Sequence, residues 1–121
     1  MLWKTSKVDR LEAKAQRKAE ADKSAYLAEK ALREADKAIR ADCYYRDNGQ
    51  CVVCQKRVYL SDRNPLTMAH NHHVIYRSAE NSSDEAWNRV TLCIRCHDDE
   101  HRHIISITGT ADNLTIERRQ A

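Results

Sequence analysis

Two Cys-x-x-Cys pairs constrain this chain more than any other feature. Cys51 and Cys54 form the first pair and Cys93 and Cys96 the second, with 38 residues between them. Pairs at such spacing bring four thiolates to one tetrahedral zinc ion, and an all-thiolate shell leaves no open coordination position. The expected zinc is therefore structural, fastening the 51–54 turn to the segment that begins at Cys96. Two unrelated redox pairs are the alternative, but a redox Cys-x-x-Cys sits in a thioredoxin-like βαβ context that this sequence lacks. The fifth cysteine, Cys43, belongs to neither pair and reads as a free, partly buried thiol.

The composition explains why a staple is needed. The chain has 121 residues, no Phe and only 6% aromatic residues, and much of its 41% apolar content is Ala. Alanine buries little area, so a domain built from this chain lacks packing material. A large enzyme with an elaborate pocket is excluded. The formal charge is +3 and falls entirely within residues 1–42, because residues 43–121 balance acids against bases. No apolar run reaches the roughly 18 residues of a membrane span, and no signal-peptide core is present. The expected setting is cytoplasmic or otherwise intracellular, with no membrane partner.

The texture changes near residue 42. Residues 1–42 read as a charged, Ala-rich helical arm, helical from about Thr5 to Asp42, without Pro or Gly. Val8, Leu11 and Ala15 make one short apolar stripe, and Ala25, Ala28, Leu32, Ala35 and Ile39 make another. Lys18 and Asp22 interrupt the seam, so a continuous coiled coil is not supported. The arm reads either as a DNA-contacting or homodimerising helix, or as a solvated helix whose last turns lean on the domain. Residues 43–121 form the second region. Asp47-Asn48-Gly49 signals a turn into the first knuckle. Val58–Leu60 and His73–Tyr76 are strand candidates, and Arg89–Leu92 leads into the second knuckle. A short charged helix over Cys96–His103 follows, then a helix end, a turn and a final strand.

All six histidines lie between residues 70 and 103. His97 and His101 are four residues apart, on one face of the expected helix. His72 and His73 are adjacent on an expected strand and point to opposite sides. One of them can join His97 and His101 around a divalent metal while the other addresses a water or a substrate. His70 reads as a surface loop residue, and His103 faces elsewhere.

His72-His73-Val74-Ile75, then Asn88, then Leu92-Cys93-Ile94-Arg95-Cys96-His97 with His101, resembles the HNH nuclease family in its zinc-stabilised subclass with two Cys-x-x-Cys knuckles. The resemblance covers about residues 44–104. It implies an α+β fold: a small ββα-metal (His-Me finger) domain stapled by the four-cysteine zinc site and preceded by the long N-terminal helix. It further implies that His72, His97 and His101 bind the catalytic metal, that His73 is the general base, and that Asn88 holds the active hairpin or orients the base. Where the family commonly has Pro or a turn residue this chain has Tyr76-Arg77, and Glu80-Asn81-Ser82-Ser83 replaces a Gly-rich stretch.

The chemistry that follows is metal-dependent hydrolysis of DNA phosphodiesters, leaving 5′-phosphate and 3′-hydroxyl ends. A histidine near its ordinary pKa of about 6.5 accepts a proton from water at neutral pH. The catalytic cation is one of Mg²⁺, Mn²⁺, Co²⁺, Ni²⁺ and Zn²⁺, and three imidazoles favour the last four. Arg77, just after the expected active strand, is the leading phosphate contact, while Arg89, Arg95 and Arg102 are weaker candidates that read first as solvated surface charges. Asp98, Asp99 and Glu100 are either acceptors for imidazole N–H groups or simple helix-start charges. Trp87 is expected to pack the active loop, and Tyr44 and Tyr45 to seal the junction with the arm. The expected partner is duplex or nicked and branched DNA. A noncatalytic zinc-stabilised module that binds nucleic acid or protein is the alternative; it needs the cysteines but not the histidines.

Overall fold

A computed structural model describes residues 6–119. The elements run α1 (Lys7–Arg46), β1 (His70–His73), a 3₁₀ turn (Ala86–Asn88), β2 (Arg89–Leu92), α2 (Ile94–His101), β3 (Ile105–Thr110) and β4 (Asn113–Arg118). The chain is a mixed α+β protein with a long N-terminal helix and two small antiparallel sheets, β1 with β2 and β3 with β4. Its contacts divide it into two compact units, with the division between Ala35 and Asp36. Among the described residues, no helix is long and apolar enough to cross a membrane.

Thr5, where the sequence reading starts the first helix, lies outside the described residues. The helix is started by Ser6, whose hydroxyl accepts from the Asp9 amide at 3.0 Å while the Asp9 carboxylate accepts from the Ser6 amide at 3.3 Å. This reciprocal cap satisfies donors that helix geometry leaves unpaired. Within the first unit, residues 6–35 are exposed, including the stripe residues Val8, Leu11 and Leu32. Polar i,i+4 pairs line this stretch, such as Glu29 with Arg33 at 3.2 Å. Such exposed pairs contribute only about 0.3–0.5 kcal/mol each.

In the second unit α1 continues to Arg46, four residues beyond the expected end, and stops at the predicted turn. Asn48 and Gly49 both take positive φ, and the Gly49 amide bonds the Tyr44 carbonyl at 2.9 Å. A side chain at Gly49 would press on the Tyr44 hydroxyl. The last turn of α1 is bonded to β2: Arg46 donates to the carbonyls of Ala86 and Arg89 at 2.7 and 2.6 Å, and Asp47 accepts from the Thr91 amide at 2.9 Å. Tyr44 is half-buried and donates its hydroxyl to the Val58 carbonyl, whereas Tyr45 is exposed and seals nothing.

The core gathers Cys51, Val58, Val74, Val90, Leu92, Cys93, Cys96, Ile105 and Ile107. Three of the four paired cysteines are thus core residues themselves, in a core without a buried aromatic. The first knuckle is a tight reversal: the Cys51 amide bonds the Lys56 carbonyl at 2.8 Å, Gln55 takes positive φ, and Gln50 bridges Arg57.

Three expected elements differ. The strand expected at 58–60 reduces to a bridge between Tyr59 and Met68, while the residue before it, Val58, bonds back to Gly49 across the knuckle. The strand expected over 73–76 lies earlier, at His70–His73. It ends there because the Val74 amide turns to the Asn88 carbonyl and the Ile75 amide to the Asn88 side chain. The tail is a two-stranded hairpin rather than a helix end and one strand, and its Ile105 and Ile107 face the core. Gly109 is required there: its φ is +96°, and a Cβ would lie 2.2 Å from the Asn113 carbonyl oxygen.

Candidate metal and catalytic centre

The thiol sulfurs of Cys51, Cys54, Cys93 and Cys96 lie within 4.8 Å of one another, at zinc-binding distance. Cys93 also caps α2, its sulfur accepting from the Cys96 amide at 3.4 Å. None of the four is in a disulfide. Burial, with further hydrogen bonds and charge from neighbouring thiols, pushes Cys96 well above its usual range, and burial also pushes Cys51 up. Three buried thiols and the exposed Cys54 facing one another are the donor set that a closed zinc site uses, and a divalent cation is what makes their ionisation favourable. The cluster suggests structural zinc.

On the other side of Cys96, α2 carries His97 and His101, whose Nε2 atoms are 3.0 Å apart. His72 on β1 completes a second cluster, with one ring nitrogen from each of the three within 4.8 Å of the others. Antiparallel pairing sets His72 opposite Val90 and His73 opposite Arg89, so the two neighbours face opposite sides of β1. His72 is 3% exposed, and its Nε2 has no hydrogen-bond partner. Burial lowers the pKa of His72, against the pull of Glu100, while burial and the neighbouring imidazoles lower that of His97 to about 4. Both rings are therefore neutral at neutral pH and present lone pairs. A buried imidazole nitrogen without a partner is costly, and three imidazoles converging on one point fit a borderline divalent cation.

Glu100 is buried on the same helix. One of its oxygens accepts from the Tyr76 hydroxyl, and the other, otherwise unpartnered, is 3.5 Å from His72 Nε2. Hydrogen bonding to Glu100, followed by burial, pushes the Tyr76 hydroxyl up to about 12. Tyr76 thus fills the place where the family pattern commonly has a turn residue. His70 is not a surface loop residue: it lies in β1, stacks on His97 with ring centroids 5.2 Å apart, and bonds the Pro65 carbonyl at 3.2 Å.

His73 Nε2 is 2.9 Å from Asp84 Oδ1. The Asp84 carboxyl is held below its usual range chiefly by that bond, with Arg89 and Arg77 also contributing. Arg77 is largely exposed, its Nε 3.9 Å from Asp84. Arg89 is the clearest departure from expectation. It is 2% exposed, bonded to Asp36 at 2.6 Å, and no surface charge. It lies on β2 opposite His73, and Asp36 of α1 supplies its nearest counter-charge. Arg102 does remain outside, paired with Asp98 at 3.7 Å.

One open cleft of about 530 Å³ is lined by His72, His73, His97 and His101, with Arg77 at its edge. Asn88 stands apart from it. Fully buried, it accepts from the Ile75 amide at 2.8 Å and donates to the Ser83 carbonyl at 2.8 Å and the Ile75 carbonyl at 3.1 Å. Its side chain bonds the 75–83 loop and makes no hydrogen bond to His73. The family model for HNH endonuclease matches residues 51–103, the span that holds the three-histidine cluster, His73 and both cysteine knuckles.

That span is similar to the HNH endonuclease family. The match spans both knuckles, β1, β2 and α2, and leaves α1 and the β3–β4 hairpin outside it. Comparison with curated proteins and with solved structures gave no match. Asp84 beside His73 and the pair of Arg89 with Asp36 are the parts of this arrangement that residue patterns missed, whereas Glu100 is among the acids that the sequence reading offers as imidazole partners.

Proposed function

We infer that this chain is a metal-dependent endonuclease that hydrolyses phosphodiester bonds in DNA. The observation that carries this reading is the single cleft shared by the three-histidine cluster and His73. A noncatalytic zinc module has no use for that arrangement. His72, His97 and His101 would hold a divalent cation, which supplies positive charge against the charge that builds on the phosphate during hydrolysis. The four-cysteine site holds α2 in place beneath them and takes no part in the reaction.

His73 activates the water. With the Nε2 proton donated to Asp84, the lone pair resides on Nδ1, which accepts a proton as the water oxygen attacks phosphorus. Asp84 keeps the ring in that tautomer and orientation, in the manner of other carboxylate and histidine pairs. Arg77 contacts a non-bridging phosphate oxygen. Asn88 positions the loop that carries Tyr76 and Arg77. As the new bond to phosphorus forms, the bond from phosphorus to the 3′ oxygen breaks and that oxygen takes a proton from solvent, leaving a 5′-phosphate and a 3′-hydroxyl.

The test is cleavage of supercoiled plasmid, single-stranded and branched DNA by zinc-loaded protein given Mg²⁺, Mn²⁺, Co²⁺, Ni²⁺ or additional Zn²⁺. Nicking or linearisation by wild type, abolished in His73→Ala with its zinc content retained, is the expected result. No turnover on any substrate with any metal overturns the reading in favour of a binding module.

A further inference from the structure

The histidine cleft adjoins a second cavity, of about 440 Å³, and the two share Arg40 and Asn71 along their common wall. Lys37 and His70 line the second cavity beyond that wall. Arg40 and Lys37 come from the part of α1 within the second unit, outside the span matched by the HNH family. They are three residues apart on a helix and so share a face. Arg40 is held in place by its base: Nε bonds Asp36 Oδ2 at 2.8 Å, while Asp36 Oδ1 bonds the buried Arg89 at 2.6 Å. The two terminal nitrogens of Arg40 make no hydrogen bond among the described residues. A guanidinium anchored through Nε, with both terminal nitrogens left open beside a cleft, is shaped for bidentate contact with an anionic oxygen pair. The neighbouring Asn71 Nδ2 is a buried donor that also has no partner.

We propose that Arg40, with Lys37 beyond it, binds the backbone phosphate adjacent to the one at the histidine centre, so that a DNA strand runs from the cleft into the second cavity. This rests on the nuclease reading and assigns the end of α1 to the substrate track. A strand carries a charge at each successive nucleotide, and a cavity of this size has room for a nucleotide-sized group. The second cavity presents two cations to that strand, and the one acid bonded to Arg40, Asp36, lies behind it in the ion pair with Arg89.

The experiment uses the full chain, zinc- and Mn²⁺-loaded, in a His73→Ala background that binds without cutting. Anisotropy of a labelled duplex gives Kd across a salt series. Arg40→Gln is expected to weaken binding about tenfold at low salt and to reduce the slope of log K against log salt by about 0.9, the value for one lost phosphate contact. Arg40→Lys, which keeps the charge, should retain that slope, an outcome that a purely structural role for the guanidinium does not predict. Lys37→Gln, which touches no part of the Asp36 network, should reduce the slope on its own. If the parent binds DNA and both Gln variants keep its Kd and slope, the proposal is overturned and the nuclease reading stands. If the parent itself binds no DNA, both fail together.

Discussion

Arg89 and Asp36 are 53 residues apart in sequence, and their side chains meet at 2.6 Å. The pair joins the end of α1 to the strand opposite the proposed base. Arg89 has almost no solvent contact, and its Nε has no partner, so its charge depends on Asp36 and on the more distant Asp84 at 3.8 Å. Burial raises the Asp36 carboxyl, but hydrogen bonds and charge from Arg89 and Arg40 outweigh it and hold it below 3.8.

Asp36→Asn keeps the shape and removes the charge, leaving a buried guanidinium without its closest counter-ion. Losing one partner of a buried ion pair costs more than the pair contributes. Because Asp36 is itself about one-third exposed, the expected loss is near the lower end, about 2–3 kcal/mol. Urea unfolding of the zinc-loaded protein measures it, and an unchanged midpoint would show that Arg89 finds other compensation.

Asn88→Ala removes the side chain that bonds the Ile75 amide and the Ser83 carbonyl. Each buried group left unpaired costs about 1–3 kcal/mol, so the variant is expected to lose about 2–4 kcal/mol and its nuclease activity together. A variant of wild-type stability with no activity would instead place Asn88 in direct contact with the reaction.

His73→Ala is expected to lower kcat by about 10²–10⁴, the usual range for a general base, with zinc content and unfolding unchanged. Asp84→Asn keeps a polar group beside the ring but weakens its hold on the Nε2 proton. Its effect should be smaller, about tenfold to hundredfold in kcat with KM little changed. Single-turnover cleavage of a labelled duplex separates the two variants; equal losses would make Asp84 as necessary as the base itself.

Cys93→Ser removes a metal ligand and weakens the cap of α2 in one step. Zinc sites in small domains contribute directly to folding, so the variant is expected to lose zinc and cooperative thermal unfolding together. A zinc-free Cys93→Ser protein that melts like wild type would show that the cysteine cluster is not the staple.

The legible parts of this molecule are those in which spacing along the chain fixes spacing in three dimensions. Cysteine pairs form knuckles by local geometry, and His97 and His101 meet because a helix brings residue i beside residue i+4. Alternation along a strand separates His72 from His73 wherever the strand begins, so the misplaced boundary at 73–76 did not disturb their division. Arg89 and His70 were misread for the opposite reason. Both look like surface residues in a polar context, and only the packing of β1 against β2 and α2 buries one and stacks the other.

The sequence by itself determined the four-cysteine cluster, the long helix and the pairing of His97 with His101, because residue type and spacing fix them. The α+β class and the choice of His72 as third member rest instead on the resemblance to HNH nucleases; the structure has that class, and the packing of β1 against α2 brings His72 to the other two. Tertiary structure alone decided that Asp36 neutralises Arg89, that Asp84 rather than Asn88 bonds His73, and that Arg40 stands beside the histidine cleft. These contacts join segments whose separation carries no period. They form only when the knuckles, the two strands and the last turns of α1 have packed together, and burial then makes a partner for every charge a condition of folding.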